Sequence, residues 1–181
     1  MLQTREQTMD EQVRKRLKDA YSQATEIRNY EYALKLCEEV LHDHPFLADA
    51  LRTRARIFAY MGDLSPAIDD MSTVINQNTR EPDDYFSRGR WYLDCGEPVK
   101  ALDDFTKVID LGAASNFHYY DESAHFFRAA ALLQLDRFAE ALSDCKAVRD
   151  DFLVYTKSGQ LSKSEIMMKV TAGLASTPPQ G

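Results

Sequence analysis

Apolar residues return along this chain with a helical rhythm, and four stretches repeat one pattern. They are "YEYALKLCEEVL", "LSPAIDDMSTVI", "PVKALDDFTKVI" and "FAEALSDCKAVR", which align on Ala33, Ala67, Ala101 and Ala141. Four residues after each anchor stands Cys37, Met71, Phe105 or Cys145, and seven after it Val40, Val74, Val108 or Val148. Offsets of four and seven share one face of a helix, so each stretch is predicted to be an amphipathic helix with that face buried. The segments upstream, such as "ALRTRARIFAYMGD" and "YFSRGRWYLDCGE", carry a helical period of their own. Gly62 and Gly96 end them where a helix needs a left-handed residue. Each unit is therefore expected to be two antiparallel helices joined by a tight turn. Twelve residues before each anchor come Tyr21, Ala55, Gly89 and Ala129, small in three cases, as close helix approach requires.

The anchors are separated by 34, 34 and 40 residues. With these residue types, that interval resembles the tetratricopeptide repeat (TPR) family. The third unit carries the resemblance best, with small Gly89, aromatic Tyr92, turn Gly96, anchor Ala101 and Phe105. The likeness spans roughly residues 12–152. It implies an all-α fold, a right-handed solenoid of about four helix-turn-helix repeats closed by a C-terminal capping helix. We place the repeats at about 12–46, 47–80, 81–113 and 120–153, and the capping helix at about 162–175. Residues 1–9 are expected to be a flexible N-terminal segment, 10–175 the solenoid domain, and 176–181 a disordered tail. Thr8 to Glu11 and Ser162 to Glu165 both read as capping boxes opening a helix. Tyr21 departs from the small-residue column, and only the first unit keeps a proline, Pro45, after its second helix.

Composition narrows the function. The net charge of −7 argues against general nucleic-acid binding, which needs clustered cations for phosphate contacts. No apolar run suits a signal peptide or a membrane span. Three cysteines, Cys37, Cys95 and Cys145, form no CxxC pair, which suits a reduced, cytoplasmic protein. His42 and His44 stand two apart, a spacing that splits them between helix sides and argues against joint chelation. Nucleophile, phosphate-loop and zinc-protease patterns are absent, so we expect no catalytic residue, no metal and no cofactor.

The recurrent acids call for another account. Asp70, Asp104 and Asp144 follow their anchors by three residues, and Arg54, Arg88 and Arg128 precede them by thirteen. The first unit has neither, with Leu36 and Ala20 at those places. The two columns change together, which predicts an Arg–Asp ion pair between the helices of each remaining hairpin. Asp69 and Asp103 are expected to face solvent.

In the TPR family the first helix of each hairpin lines a concave groove that holds peptide segments. By that analogy Lys18, Arg52, Arg56, Tyr60, Phe86, Arg90 and Phe126 form the partner-binding groove, a basic stripe running into an aromatic one. Such a surface suits another protein or peptide with acidic and apolar side chains, with no role for nucleic acid or membrane. The alternative is that the arginines pair with Asp49, Asp83 and Asp94 on neighbouring turns. A carboxylate-gripping clamp known in some chaperone-binding relatives is incomplete here, because Ser22, Thr53, Asp83 and Ser87 fill its other places. The longer third interval holds Phe117, Tyr119 and Tyr120, as loop contacts with the partner or as internal packing. The expected function is a non-catalytic protein-interaction module of adaptor or chaperone-like type. The alternative is a bacterial immunity protein or secretion chaperone dedicated to one toxin or effector.

Overall fold

A computed structural model describes residues 2–115, 118–156 and 159–176, with side chains from Glu11 onward. The first hairpin pairs α1 (Leu2–Ser22), which runs into a π-helical turn at Gln23–Ile27, with α2 (Tyr30–Asp43). The second pairs α3 (Ala48–Met61) with α4 (Leu64–Asn76). The third pairs α5 (Pro82–Asp94) with α6 (Pro98–Ser115), and the fourth α7 (Asp121–Gln134) with α8 (Phe138–Lys146). A two-stranded antiparallel hairpin follows, β1 (Leu153–Thr156) and β2 (Gly159–Ser162), and then α9 (Lys163–Ser176). The chain forms two compact units that divide between Thr79 and Arg80.

The anchor column is the core of both units: Ala33, Ala67, Ala101 and Ala141 are all fully buried. Cys37, Met71, Phe105 and Cys145 beside them are at most 2% exposed, as the plus-four offset requires of a helix stripe. Gly89 shows why the opposing column is small. A Cβ there would come within 3.0 Å of the Phe105 ring and 3.1 Å of Asp104 Cβ.

The turns repeat one closure. Gly62, Gly96 and Asp136 take positive φ. The next residue in each case, Asp63, Glu97 or Arg137, donates its N–H to the carbonyl five residues back, at Phe58, Tyr92 or Leu132. This is the Schellman arrangement, which satisfies carbonyls that the ending helix leaves open. In the first hairpin Arg28 takes the positive φ, and Asn29 donates to Gln23, six residues back. The extra residue sits in the π turn, as such turns allow.

That single residue corrects the first repeat. Ala20 and Ala24 are buried, whereas Tyr21 is 41% exposed. Upstream of the π turn the small-residue column shifts by one, so Ala20 supplies the small residue that the uncorrected spacing assigns to Tyr21. The helix also begins at Leu2, upstream of the expected box, which places Thr8 to Glu11 inside α1.

At the other end the box at Ser162 forms. Ser162 N–H donates to Glu165 at 2.7 Å and Glu165 N–H returns to Ser162 Oγ at 3.3 Å. The helix it opens caps the C-terminal unit, burying Ile166 and Val170. Residues 177–181 of the expected tail lie outside the described residues. The β hairpin was not anticipated. Its signal is present in Leu153-Val154-Tyr155-Thr156, an uncharged run of β-favouring residues ahead of a glycine.

Candidate functional site

In the N-terminal unit, α3 presents Arg52, Arg56 and Tyr60. Arg52 donates to Asp49 at 3.0 Å and to Thr79 at 3.3 Å, so the neighbouring-acid reading applies to this arginine. Tyr60 is 50% exposed, and its hydroxyl lies 3.2 Å from that of Tyr21, with ring centroids 6.4 Å apart. Burial, and then the Tyr21 hydroxyl, push the Tyr60 phenol up to about 12. Tyr21 belongs to this surface because of the one-residue slip. Lys18 lines a cavity with Gln12, Asp19, Ser22 and Leu36. Tyr21 is the α1 residue that meets Tyr60.

In the C-terminal unit, Phe86 is half-buried in an aromatic cluster. Its ring lies 5.9 Å from Phe105, 5.8 Å from Phe127 and 5.0 Å from Tyr120. Phe126 is a correction. It is 1% exposed and packs against Phe127 and, at 4.9 Å, Phe152, so it is core and not groove. The reason is local: Phe152, in the chain leading into the β hairpin, packs against it. Tyr120, just ahead of α7, donates to Asp83 at 2.8 Å and so packs internally. Tyr119 is 77% exposed, and Phe117 lies outside the described residues.

Arg90 occupies the most telling position. Its guanidinium stands 4.5 Å over the Phe127 ring, a cation–π geometry. Burial pulls its pKa below the usual arginine value, and Asp94 one turn on only partly offsets this. No carboxylate among the described residues comes within ion-pair distance of it. It borders a cavity of about 400 Å³ with Phe127, Ala130 and Gln134 from α7, Gln160 and Leu161 from β2, and Glu165 and Lys169 from α9. Arg90 and Ala130 are both in the column eleven before the anchor. The hairpin and α9 wall that column in, which the helical period alone did not reveal.

The Arg and Asp columns meet as three pairs, each within its own hairpin. Arg54 reaches Asp70 through Nε and Nη2, both at 2.8 Å. Arg88 reaches Asp104 at 2.9 and 2.7 Å, and Arg128 reaches Asp144 at 2.8 and 2.7 Å, in the same two-pronged geometry. His125 is half-buried, and its Nδ1 lies 2.8 Å from Asp144. Burial alone would raise the Asp144 carboxyl, but hydrogen bonds from Arg128 and His125 hold it below the ordinary range. At Asp104 burial outweighs the single arginine and raises the carboxyl. Asp69 and Asp103 are exposed.

Among the described residues no group of three His, Cys, Asp or Glu side chains is placed to hold a metal ion. Cys37 and Cys145 are buried thiols, and burial pushes Cys37 up to about 12. No described helix is long and apolar enough to cross a membrane.

No protein-family model and no curated protein matches the chain. Solved structures do. MamA (AMB-1) superposes with a TM-score of 0.69 at 16% identity, over 92% of this chain and 82% of that one. A Podosopora anserina putative kinesin light chain with nearly identical TPR-like repeats gives 0.63 at 14%, over 93% and 98%. YrrB, described as a TPR protein with an unusual peptide-binding site, gives 0.61 at 18%, over 70% of this chain and 62% of that chain. The chain therefore has the tetratricopeptide-repeat fold: helical hairpins of one kind in succession, with a C-terminal capping helix.

Proposed function

We propose that this protein is a non-catalytic protein-interaction module, adaptor or chaperone-like, that holds a segment of a partner on the inner faces of its first helices. The observation that carries this reading is Arg90. A cation half-withdrawn from water over an aromatic ring, at the edge of a cavity and without a carboxylate partner among the described residues, is poised for an acid brought by a ligand. Leu93, Phe127, Ala130 and Leu161 supply apolar surface in the same cavity, so the segment carries an acidic side chain next to apolar ones. Tyr21, Tyr60 and Arg56 offer a second contact surface in the N-terminal unit. The peptide-binding site named for YrrB is support by likeness of fold. The acidic net charge and the absence of an apolar span favour a protein ligand over nucleic acid or membrane, and buried reduced thiols suit the cytoplasm.

The test is affinity purification with wild-type protein and with Arg90→Glu, read by quantitative mass spectrometry. A partner that is retained by wild type and depleted at least tenfold by Arg90→Glu supports the reading. A partner retained equally by both removes Arg90 from the site. A single stoichiometric protein would mark a dedicated cognate partner, whereas several would mark an adaptor.

A further inference from the structure

The β hairpin has one edge open. Its register sets Leu153 opposite Ser162, Val154 opposite Leu161, Tyr155 opposite Gln160 and Thr156 opposite Gly159. Residues facing each other across an antiparallel ladder alternate between hydrogen-bonded and non-bonded pairs. The phase is fixed by Lys163, whose N–H donates to the Phe152 carbonyl at 2.9 Å. Counting from that bonded pair, Val154 and Thr156 turn their main-chain groups toward β2, and Leu153 and Tyr155 turn theirs away. Ser162 obeys the same phase, since its outward N–H is taken by the Glu165 carboxylate at 2.7 Å. Nothing comparable serves Leu153 or Tyr155 among the described residues. β2 makes the larger contact with α9.

The side chains on that edge are also exposed, Tyr155 by 77% and Leu153 by 44%. Folded proteins usually guard such an edge with Lys, Pro or a bulge, and β1 has none of these. Its four main-chain groups are directional, so they select an extended backbone and not a helix or a lipid.

We infer that β1 is a pairing edge for β1 of a second copy of this chain. The outward residues Leu153 and Tyr155 lie symmetrically about Val154. A two-fold axis at Val154 therefore sets Leu153 opposite Tyr155 of the other copy, and Tyr155 opposite its Leu153. All eight outward groups are then satisfied by four hydrogen bonds, and an aliphatic–aromatic pair forms twice on the outer face. The strand is uncharged. The acids before it are engaged at home, Asp150 with Lys163 at 2.7 Å and Asp151 with Arg149 at 3.2 Å, so no like charges are forced together. Four residues at about 3.4 Å each make a contact about 14 Å long. A contact one strand wide and that long buries far less than the ~1,200 Å² typical of stable interfaces, so the pairing is weak and depends on concentration.

Sedimentation velocity on the full chain, over a concentration series up to the millimolar range, tests this with two variants. Tyr155→Pro deletes an N–H that points away from β2, which an edge strand tolerates. Tyr155→Glu keeps the backbone and sets like charges on the shared edge. Wild type is expected to move from monomer to dimer across the series, with exchange of the Leu153 and Tyr155 amides slowing in step. Both variants are expected to remain monomeric with unchanged helical circular dichroism. A wild type that stays monomeric throughout overturns the inference, as does a Tyr155→Glu variant that associates like wild type.

Discussion

Arg88 and Asp104 join the two helices of the third hairpin through a pair of hydrogen bonds at 2.9 and 2.7 Å, sixteen residues apart in sequence. Asp104 is 3% exposed and the Arg88 side chain 16%, so losing the carboxylate leaves a largely buried guanidinium short of its main acceptor. Asp104→Asn is expected to lower stability by about 3 kcal/mol, the cost of stranding one member of a largely buried pair. Its exposed neighbour gives the contrast, with Asp103→Asn within about 0.5 kcal/mol of wild type. Urea denaturation of both variants measures the difference, and equal midpoints would remove the pair from the stability of the hairpin.

Asp144 supplies the pH dependence. Its folded pKa is depressed, so the folded state holds the ionised form more firmly than the unfolded chain does. The associated stability is complete above the unfolded value of about 3.9 and is lost as pH falls through the lower folded value. Thermal unfolding between pH 7 and pH 2 should therefore show an acid-side loss that shrinks in Asp144→Asn. An identical acid limb in the two proteins would assign that loss to other carboxylates.

The cysteines should divide by burial. Cys95 is exposed, whereas Cys37 and Cys145 are buried, with thiols made less acidic by their surroundings. Maleimide treatment of the native protein is expected to add one label, at Cys95, and three after denaturation. Fast native labelling of Cys37 would mean that the first hairpin opens.

Phe126 should behave as core. Phe126→Ala is expected to cost about 4 kcal/mol, in the range for deleting a buried aromatic side chain. A groove residue would instead leave the denaturation midpoint near wild type and change only binding.

Much of the fold was legible because the signals were local and repeated. The anchor alanines, their plus-four and plus-seven partners and the glycines at Gly62 and Gly96 each specify one helical face or one turn. The Arg and Asp columns were visible because they change together. The errors share another cause, which is the influence of segments outside the period. One residue in a π turn shifted the small-residue column from Tyr21 to Ala20, which left Tyr21 as an anomaly. Phe126 was misplaced because Phe152, beyond the last repeat, covers it. His125 joins Asp144 from a position sixteen before the anchor, where no other repeat has histidine. The cavity at Arg90 needs β2 and α9 as walls, and nothing in a 34-residue period announces either.

The π turn also bears on how this first repeat is related to the others. Its closing hydrogen bond spans six residues where the other three turns span five, and its small residue stands thirteen before the anchor where the others stand twelve, while the positive-φ position is five before the anchor in all four. The first hairpin is thus an ordinary hairpin carrying a one-residue insertion, absorbed at its exposed end. Deleting one residue from Gln23–Ile27 should restore the common closure, leaving Tyr21 over Tyr60 and Ala20 against α2. Any alignment of this chain with other repeat arrays needs a gap there, and without one the exposed Tyr21 is compared with the small residues that Ala20 matches.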